Sequence, residues 1–335
     1  MSFSFETNTS ETEDSFSNRY ANIEAANKRS FYMNNPNRTL DVIQSIHSFG
    51  DARVETTTTN LDNDDTLAAA RRLIAGGNMS PLGAYGPVGL SEEARIKDAT
   101  SNMSALFESL GVPETSAYLL NPERDYTTPL TIVNIDAQLI EENTTWPTRL
   151  EKSGDFIYTR DPNKVLAVRP ADCPVMIASA DTPDGKVYMM VHYAWKGAAN
   201  HYVEQTALAF DSLGVDRESL EMYLSPGAQA ESYPYSNYPQ NPLEEFPGTE
   251  GLFVKPTSHI NEKGEKVWDF AIDTPKFVYD QVIEKLGVDP SQVFCDTSDT
   301  GSLESGYSSH GRSSRLKSQG EANTRDLVVA IFKVQ

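Results

Sequence analysis

Hydrophobic positions along the chain follow two rhythms. Across residues 91–110, Ile96, Ala99, Met103, Leu106 and Leu110 fall at steps of three and four, which predicts a helix with one buried stripe. Leu110-Gly111-Val112 ends it, with glycine in the left-handed capping position. The ending recurs at Leu213-Gly214-Val215, after a helix that carries Val203, Ala207, Phe210 and Leu213 on one face. It recurs again at Leu286-Gly287-Val288, after a helix predicted to start with Thr274 as N-cap and Pro275 at the first helical position and to bury Val278, Val282 and Leu286. The spacings of 103 and 73 residues are too unequal for a solenoid, so these are three similar helix ends and no internal repeat. A shorter helix is predicted over 66–74, closed by Gly76-Gly77.

The second rhythm is that of strands. Residues 175–178 and 186–191 are apolar, β-prone runs joined by Asp181-Thr182-Pro183-Asp184-Gly185, which predicts a hairpin. Residues 40–59 supply a strand or two, and 220–224, 292–295 and 326–334 one each. Between them, 225–248 and 298–323 read as long polar loops, the first rich in Tyr, Pro and Asn and a candidate wall for a site. Residues 1–37 are rich in Ser, Thr, Asn and Glu and predict a flexible acidic and polar extension; 38–335 form the main domain. Strands alternate with helices while hairpins also occur, so the fold class is mixed-sheet α/β or α+β.

Composition narrows the function classes. Lys and Arg number 28 against 48 Asp and Glu, a net charge of −20, which argues against an electrostatic grip on nucleic acid or anionic lipid. Two cysteines make no disulfide framework and point to a reducing compartment. No run reaches the roughly 20 apolar residues of a membrane span, and the N-terminus lacks a secretory pattern, so the expected setting is cytoplasmic.

The hairpin carries the candidate chemistry. Cys173 stands just before its first strand and His192 just after its second, so pairing about the turn brings them to one end although 19 positions separate them. A thiol beside an imidazole is either a nucleophile with its base or two ligands of a borderline metal such as zinc. Asp172, Trp195 and Lys196 flank the pair.

These residues resemble a known family, the laccase-domain or multicopper polyphenol-oxidase-like proteins of the YfiH type. Ala171-Asp172-Cys173-Pro174 is similar to the family's A-D-C-x-P strand start, with proline one place early, and His192-Tyr193-Ala194-Trp195-Lys196-Gly197 to its H-A-G-W-R-G turn. Weaker likenesses are Gly76-Gly77-Asn78-Met79-Ser80, Asp155, Ser225-Pro226-Gly227-Ala228, Asp273, Cys295-Asp296-Thr297, and Ser309-His310 with Arg312 followed by Thr324-Arg325. The resemblance runs from about Arg72 to Val334.

The resemblance implies a layered α/β sandwich with mixed sheets and a metal site of two histidines and one cysteine. Cys173 and His192 match two of those ligands; the third falls on Glu123, where a carboxylate replaces the histidine. It also implies purine nucleoside chemistry, phosphorolysis or deamination of adenosine-type substrates, with purine nucleoside and phosphate as partners. Zinc fits better than copper, because five scattered histidines do not suffice for several coppers. In that reading Cys173 and His192 bind zinc and form the catalytic centre, with Asp172 as acid or base. Lys196, His310, Arg312 and Arg325 contact phosphate or ribose, and Lys196 lacks the bidentate fork of the family's arginine. The alternatives are a catalytically silent relative serving as a binding or assembly module, a metal-free Cys/His thiol hydrolase, and the older polyphenol oxidase (laccase) assignment.

Overall fold

The structure, a computed structural model, describes residues 28–35, 38–49, 52–59, 91–113, 116–122, 129–137, 148–149, 154–302, 307, 309–315 and 327–332. The helix expected over 66–74, Glu123 and Arg325 lie outside these described residues.

In chain order the first strands are β1 (Lys28–Asn35), β2 (Arg38–Phe49) and β3 (Ala52–Thr59), followed by helix α1 (Glu92–Leu110). Strands β4 (Ala117–Leu120), β5 (Ile132–Asn134), β6 (Thr148–Arg149), β7 (Phe156–Thr159), β8 (Val165–Val168), β9 (Val175–Ala180) and β10 (Val187–His192) come next. Helices α2 (Trp195–Ala199) and α3 (Tyr202–Leu213), strands β11 (Glu221–Leu224) and β12 (Pro234–Tyr238), and helix α4 (Pro242–Glu245) follow. The chain then runs through β13 (Phe253–Ile260), β14 (Lys266–Ile272), α5 (Thr274–Leu286), β15 (Val293–Cys295), α6 (His310–Arg315) and β16 (Val328–Ile331).

These strands form three sheets, ordered β1-β2-β3-β16-β8-β4-β6, β15-β11-β9-β10-β7-β5 and β12-β14-β13. The two large sheets are mixed: β4 runs parallel to β8 and β6, and β11 parallel to β15, among antiparallel neighbours. Side-chain alternation explains how they stack. On β9, Val175 and Ile177 point into a core shared with Leu166, Val168, Val328 and Ala330 of the other large sheet. Their neighbours Met176 and Ala178 point the opposite way, against Val203 and Phe210 of α3 and Val278 and Val282 of α5. The seven-stranded sheet repeats this, with Ala117, Leu119, Ala167 and Val329 turned to Met103, Leu106 and Phe107 of α1. The order of layers is therefore helix, sheet, sheet, helix, the layered α/β sandwich the residues imply. Each fully buried aliphatic side chain there contributes roughly 1.5–3 kcal/mol relative to exposure. Tyr188 and Phe332 stack between the sheets with ring centroids 4.5 Å apart. Among the described residues, no helix is long and apolar enough to cross a membrane.

Several elements depart from the sequence reading. Strand β1 lies within the 1–37 stretch read as an extension and pairs with β2 over its whole length. Residues 225–248 are not one loop: β12 and α4 lie inside it, and the rings of Tyr235 and Tyr238 pack on Phe270 of β14 at 5.5 and 5.4 Å. Pro234 is tolerated because it opens a strand at the edge of its sheet. Likewise, 298–323 contains α6. The N-cap of α5 is Asp273 rather than Thr274, because the Asp273 carboxylate accepts from the Lys276 N–H at 3.1 Å and Thr274 becomes a buried helical residue. Ile96 of the α1 stripe is 36% exposed, and Phe107 takes its place in the core.

Candidate functional site

The hairpin forms as expected. Thr182 N–H donates to Gly185 O at 3.1 Å, Gly185 takes the positive φ of 103° that the turn needs, and β9 and β10 pair with His192 opposite Val175. Tyr193 N–H continues the ladder to Pro174 O at 3.0 Å, which brings the chain on both sides of His192 against the segment of Cys173. On the other flank His192 N–H donates to Asp155 O, at the foot of β7, at 2.8 Å.

That second contact orients the imidazole. His192 Nδ1 lies 2.8 Å from Asp155 Oδ1, with His192 4% exposed and Asp155 fully buried. Cys173 also interacts with this imidazole. Burial works against charge on the ring, but the interactions with Cys173 and the hydrogen bond to Asp155 outweigh it, and the His192 pKa is pushed up to about 10. Asp155 Oδ2 is buried without a hydrogen-bond partner, so the carboxylate spends its protein contact on this one histidine. Cys173 is half-buried.

Asp172, the residue before Cys173, is buried and held at φ 77°. Its Oδ2 accepts from Gly311 N–H at 2.5 Å, its Oδ1 from the Thr300 hydroxyl at 3.2 Å, and its carbonyl from Ala228 N–H at 2.9 Å. The start of the 225–248 segment forms a wall here, as expected. Val175 N–H donates to Ser225 Oγ at 2.9 Å, and a Cβ on Gly227 would stand 2.7 Å from Pro275 Cγ and 2.9 Å from Asp172 O. Only glycine passes between them. The ring of Tyr233 closes over Gly311 beside Asp172. Burial raises the Tyr233 phenol pKa, Asp172, Cys173 and Tyr235 add to the rise, and Arg315 opposes it. Sequence reasoning did not single out Tyr233, Thr300 or Gly311; the one available signal was the unusual length of the Tyr- and Pro-rich segment.

The other expected contacts are scattered. Lys196 is exposed, with Nζ 5.5 Å from the centroid of the Trp195 ring, which packs edge-on against Tyr235 and Phe253 at 5.8 and 5.9 Å. His310 is exposed at the start of α6. Arg312 is turned inward: its guanidinium donates to Thr300 O at 2.9 Å, Ser302 O at 2.6 Å and Tyr307 O at 2.6 Å. Cys295 is buried in β15 within the core. His201 and His259 lie at the surface, His201 beside Glu204 and His259 beside Asp269.

The donor set fits part of a zinc site. A cysteine and a histidine share one end of a hairpin, and the imidazole is held by a buried carboxylate, the usual outer partner of a metal-bound histidine. Among the described residues no group of three or more His, Cys, Asp and Glu side chains is placed to hold a metal.

No curated protein matches the sequence. The fold is similar to the crystal structure of the Bacillus licheniformis hypothetical protein YfiH, with a TM-score of 0.59 and 14% identity over 87% of this chain and 96% of that one. It is similar to that of YlmD from Geobacillus stearothermophilus, with a TM-score of 0.58 and 15% identity over 88% and 96%. At these identities the likeness shows the fold. Residues 76–322, which carry the hairpin, His192 and the loop of Ser225, match the family model described as multi-copper polyphenol oxidoreductase laccase, and the chain belongs to that family.

Proposed function

We propose that this chain is a zinc-dependent purine nucleoside enzyme, catalysing phosphorolysis or deamination of adenosine-type nucleosides in a reducing, cytoplasmic setting. Cys173 and His192 are two of the zinc ligands, and Glu123, at the position of the family's third ligand, completes the set. The observation that supports this reading best is the line from buried Asp155 through His192 to Cys173. Asp155 holds the ring through Nδ1, and the other ring nitrogen would give up its proton to ligate zinc together with the Cys173 sulfur. A zinc ion held there would supply Lewis acidity to a water or a phosphate oxygen. Lys196 and His310, both exposed, and Arg325 are the groups proposed to bind phosphate or ribose. Arg312 is withdrawn from that role because three backbone carbonyls occupy its guanidinium.

A second reading shares the same line of residues. Carboxylate, imidazole and thiol in this order also describe a nucleophilic cysteine with its base and orienting acid, acting as a thiol hydrolase without metal.

Metal analysis of the purified protein beside Cys173→Ala, with an adenosine and phosphate turnover assay, separates the two. About one zinc per chain, lost in the variant together with turnover and removable by a chelator, is the expected result. Absence of zinc with no turnover overturns the first reading, and inactivation by a thiol alkylator that chelators do not reproduce supports the second.

A further inference from the structure

We infer that Asp172 is a positioning residue that sets the place of Cys173 through a hydrogen-bonded brace to the C-terminal segment, and that it is neither an acid nor a base in the reaction. The inference rests on the reading of Cys173 as the reacting or ligating thiol.

Both carboxylate oxygens of Asp172 are engaged inside the protein. Oδ2 takes the Gly311 N–H at 2.5 Å and Oδ1 the Thr300 hydroxyl at 3.2 Å, and the residue is 5% exposed. Its backbone is in the left-handed region at φ 77°, where asparagine and aspartate are the non-glycine residues best tolerated. Ala228 N–H on its carbonyl pins the same peptide from a third segment. Residues distant in sequence thus converge on the residue that precedes Cys173, and they fix the direction from which the chain enters β9.

The brace is itself supported. Arg312, one residue beyond Gly311, reaches back to the carbonyls of Thr300, Ser302 and Tyr307, which ties Thr300 to α6 and keeps both donors to Asp172 in one unit. Asp299 Oδ1 accepts from Gly301 N–H at 2.9 Å, Gln229 N–H at 3.1 Å and Ser232 Oγ at 2.5 Å, tying that unit to the loop that supplies Ala228. Through Asp172, the C-terminal segment sets the position of Cys173.

The test uses the two cysteines of the full-length, chelator-treated protein, labelled with iodoacetamide and read by peptide mapping. Cys173 reports the site, and Cys295, 6% exposed in the core, reports loss of the fold. Asp172→Asn keeps an acceptor for Gly311, a donor for Thr300 and the left-handed backbone, and its Cys173 labelling rate is expected within about twofold of wild type. Asp172→Gly keeps the backbone but loses the brace, and its Cys173 rate is expected to fall at least about tenfold, the order of loss that follows a small misplacement of a reacting group. Wild-type labelling in Asp172→Gly, or a loss in Asp172→Asn equal to that in Asp172→Gly, overturns the inference. If Asp172→Gly exposes Cys295, Thr300→Val decides instead: a slowed Cys173 with Cys295 protected supports the brace, and an unchanged Cys173 overturns it. Because labelling needs neither metal nor substrate, absence of zinc or turnover in the wild-type protein refutes the proposed function without touching this result.

Discussion

Nδ1 of His192 lies 2.8 Å from Oδ1 of Asp155, and both side chains are closed off from solvent. The pair joins the start of β7 to the end of β10, beside the segment of Cys173. Three expectations about the site and one about its scaffold follow from such contacts.

Asp155→Asn keeps the shape of the side chain and removes its charge. In the zinc reading the outer carboxylate raises the ligand strength of His192, so the variant should hold zinc about 10- to 100-fold more weakly. Competition with a chromophoric chelator measures this, and equal retention in both proteins would detach Asp155 from the metal.

The pH dependence of stability carries the same signature. His192 binds its proton more tightly in the folded chain, with a pKa pushed up to about 10 from 6.5. Between those values the unfolded state binds fewer protons, so this contribution is fully present below about pH 6.5 and is lost as pH rises through about 10. The Tm of chelator-treated protein should fall across that interval, and His192→Asn should flatten the fall. An undiminished slope in the variant would assign the effect to other groups.

Arg312 and Lys196 should separate cleanly. Arg312→Lys leaves some of its three carbonyl partners, one buried and two partly buried, without a donor and should cost about 1–3 kcal/mol in urea unfolding, with no change in the KM for phosphate. Lys196→Ala is a surface change and should stay within about 0.5 kcal/mol of wild type while raising the KM for phosphate. The reverse pattern would return Arg312 to the substrate and Lys196 to the solvent.

Gly311 is required by its neighbour. A Cβ there would collide with the Tyr233 ring, so Gly311→Ala should cost about 1–3 kcal/mol through overpacking. Tyr233→Ala in the same chain removes the collision, and the double variant should be less destabilised than the sum of the two single ones. Additivity would mean that the ring yields freely.

The hairpin and the helix ends were legible in the sequence because their signals are local. Alternation and a Pro-Gly turn specify β9 and β10, and Gly111, Gly214 and Gly287 stop three helices at φ 66°, 68° and 66°. Strand β12 and helix α6 were not legible. Residues 234–238 read as loop, and β12 exists because Tyr235 and Tyr238 find Phe270 of β14, while α6 is six residues long and tied to Asp172 and to the carbonyls of Thr300 and Ser302.

The same division holds at the site. Sequence alone determined that Cys173 and His192 meet, since a hairpin between them leaves little choice, and that the chain carries its family's motifs in order. Only the tertiary structure decided what surrounds them. Asp155 reaches His192 from the start of β7, Asp172 is claimed by Gly311 and Thr300, and Arg312 faces inward, because such contacts join residues from separate elements. A charged residue in a motif has many possible partners, and the packing of sheets and loops selects among them.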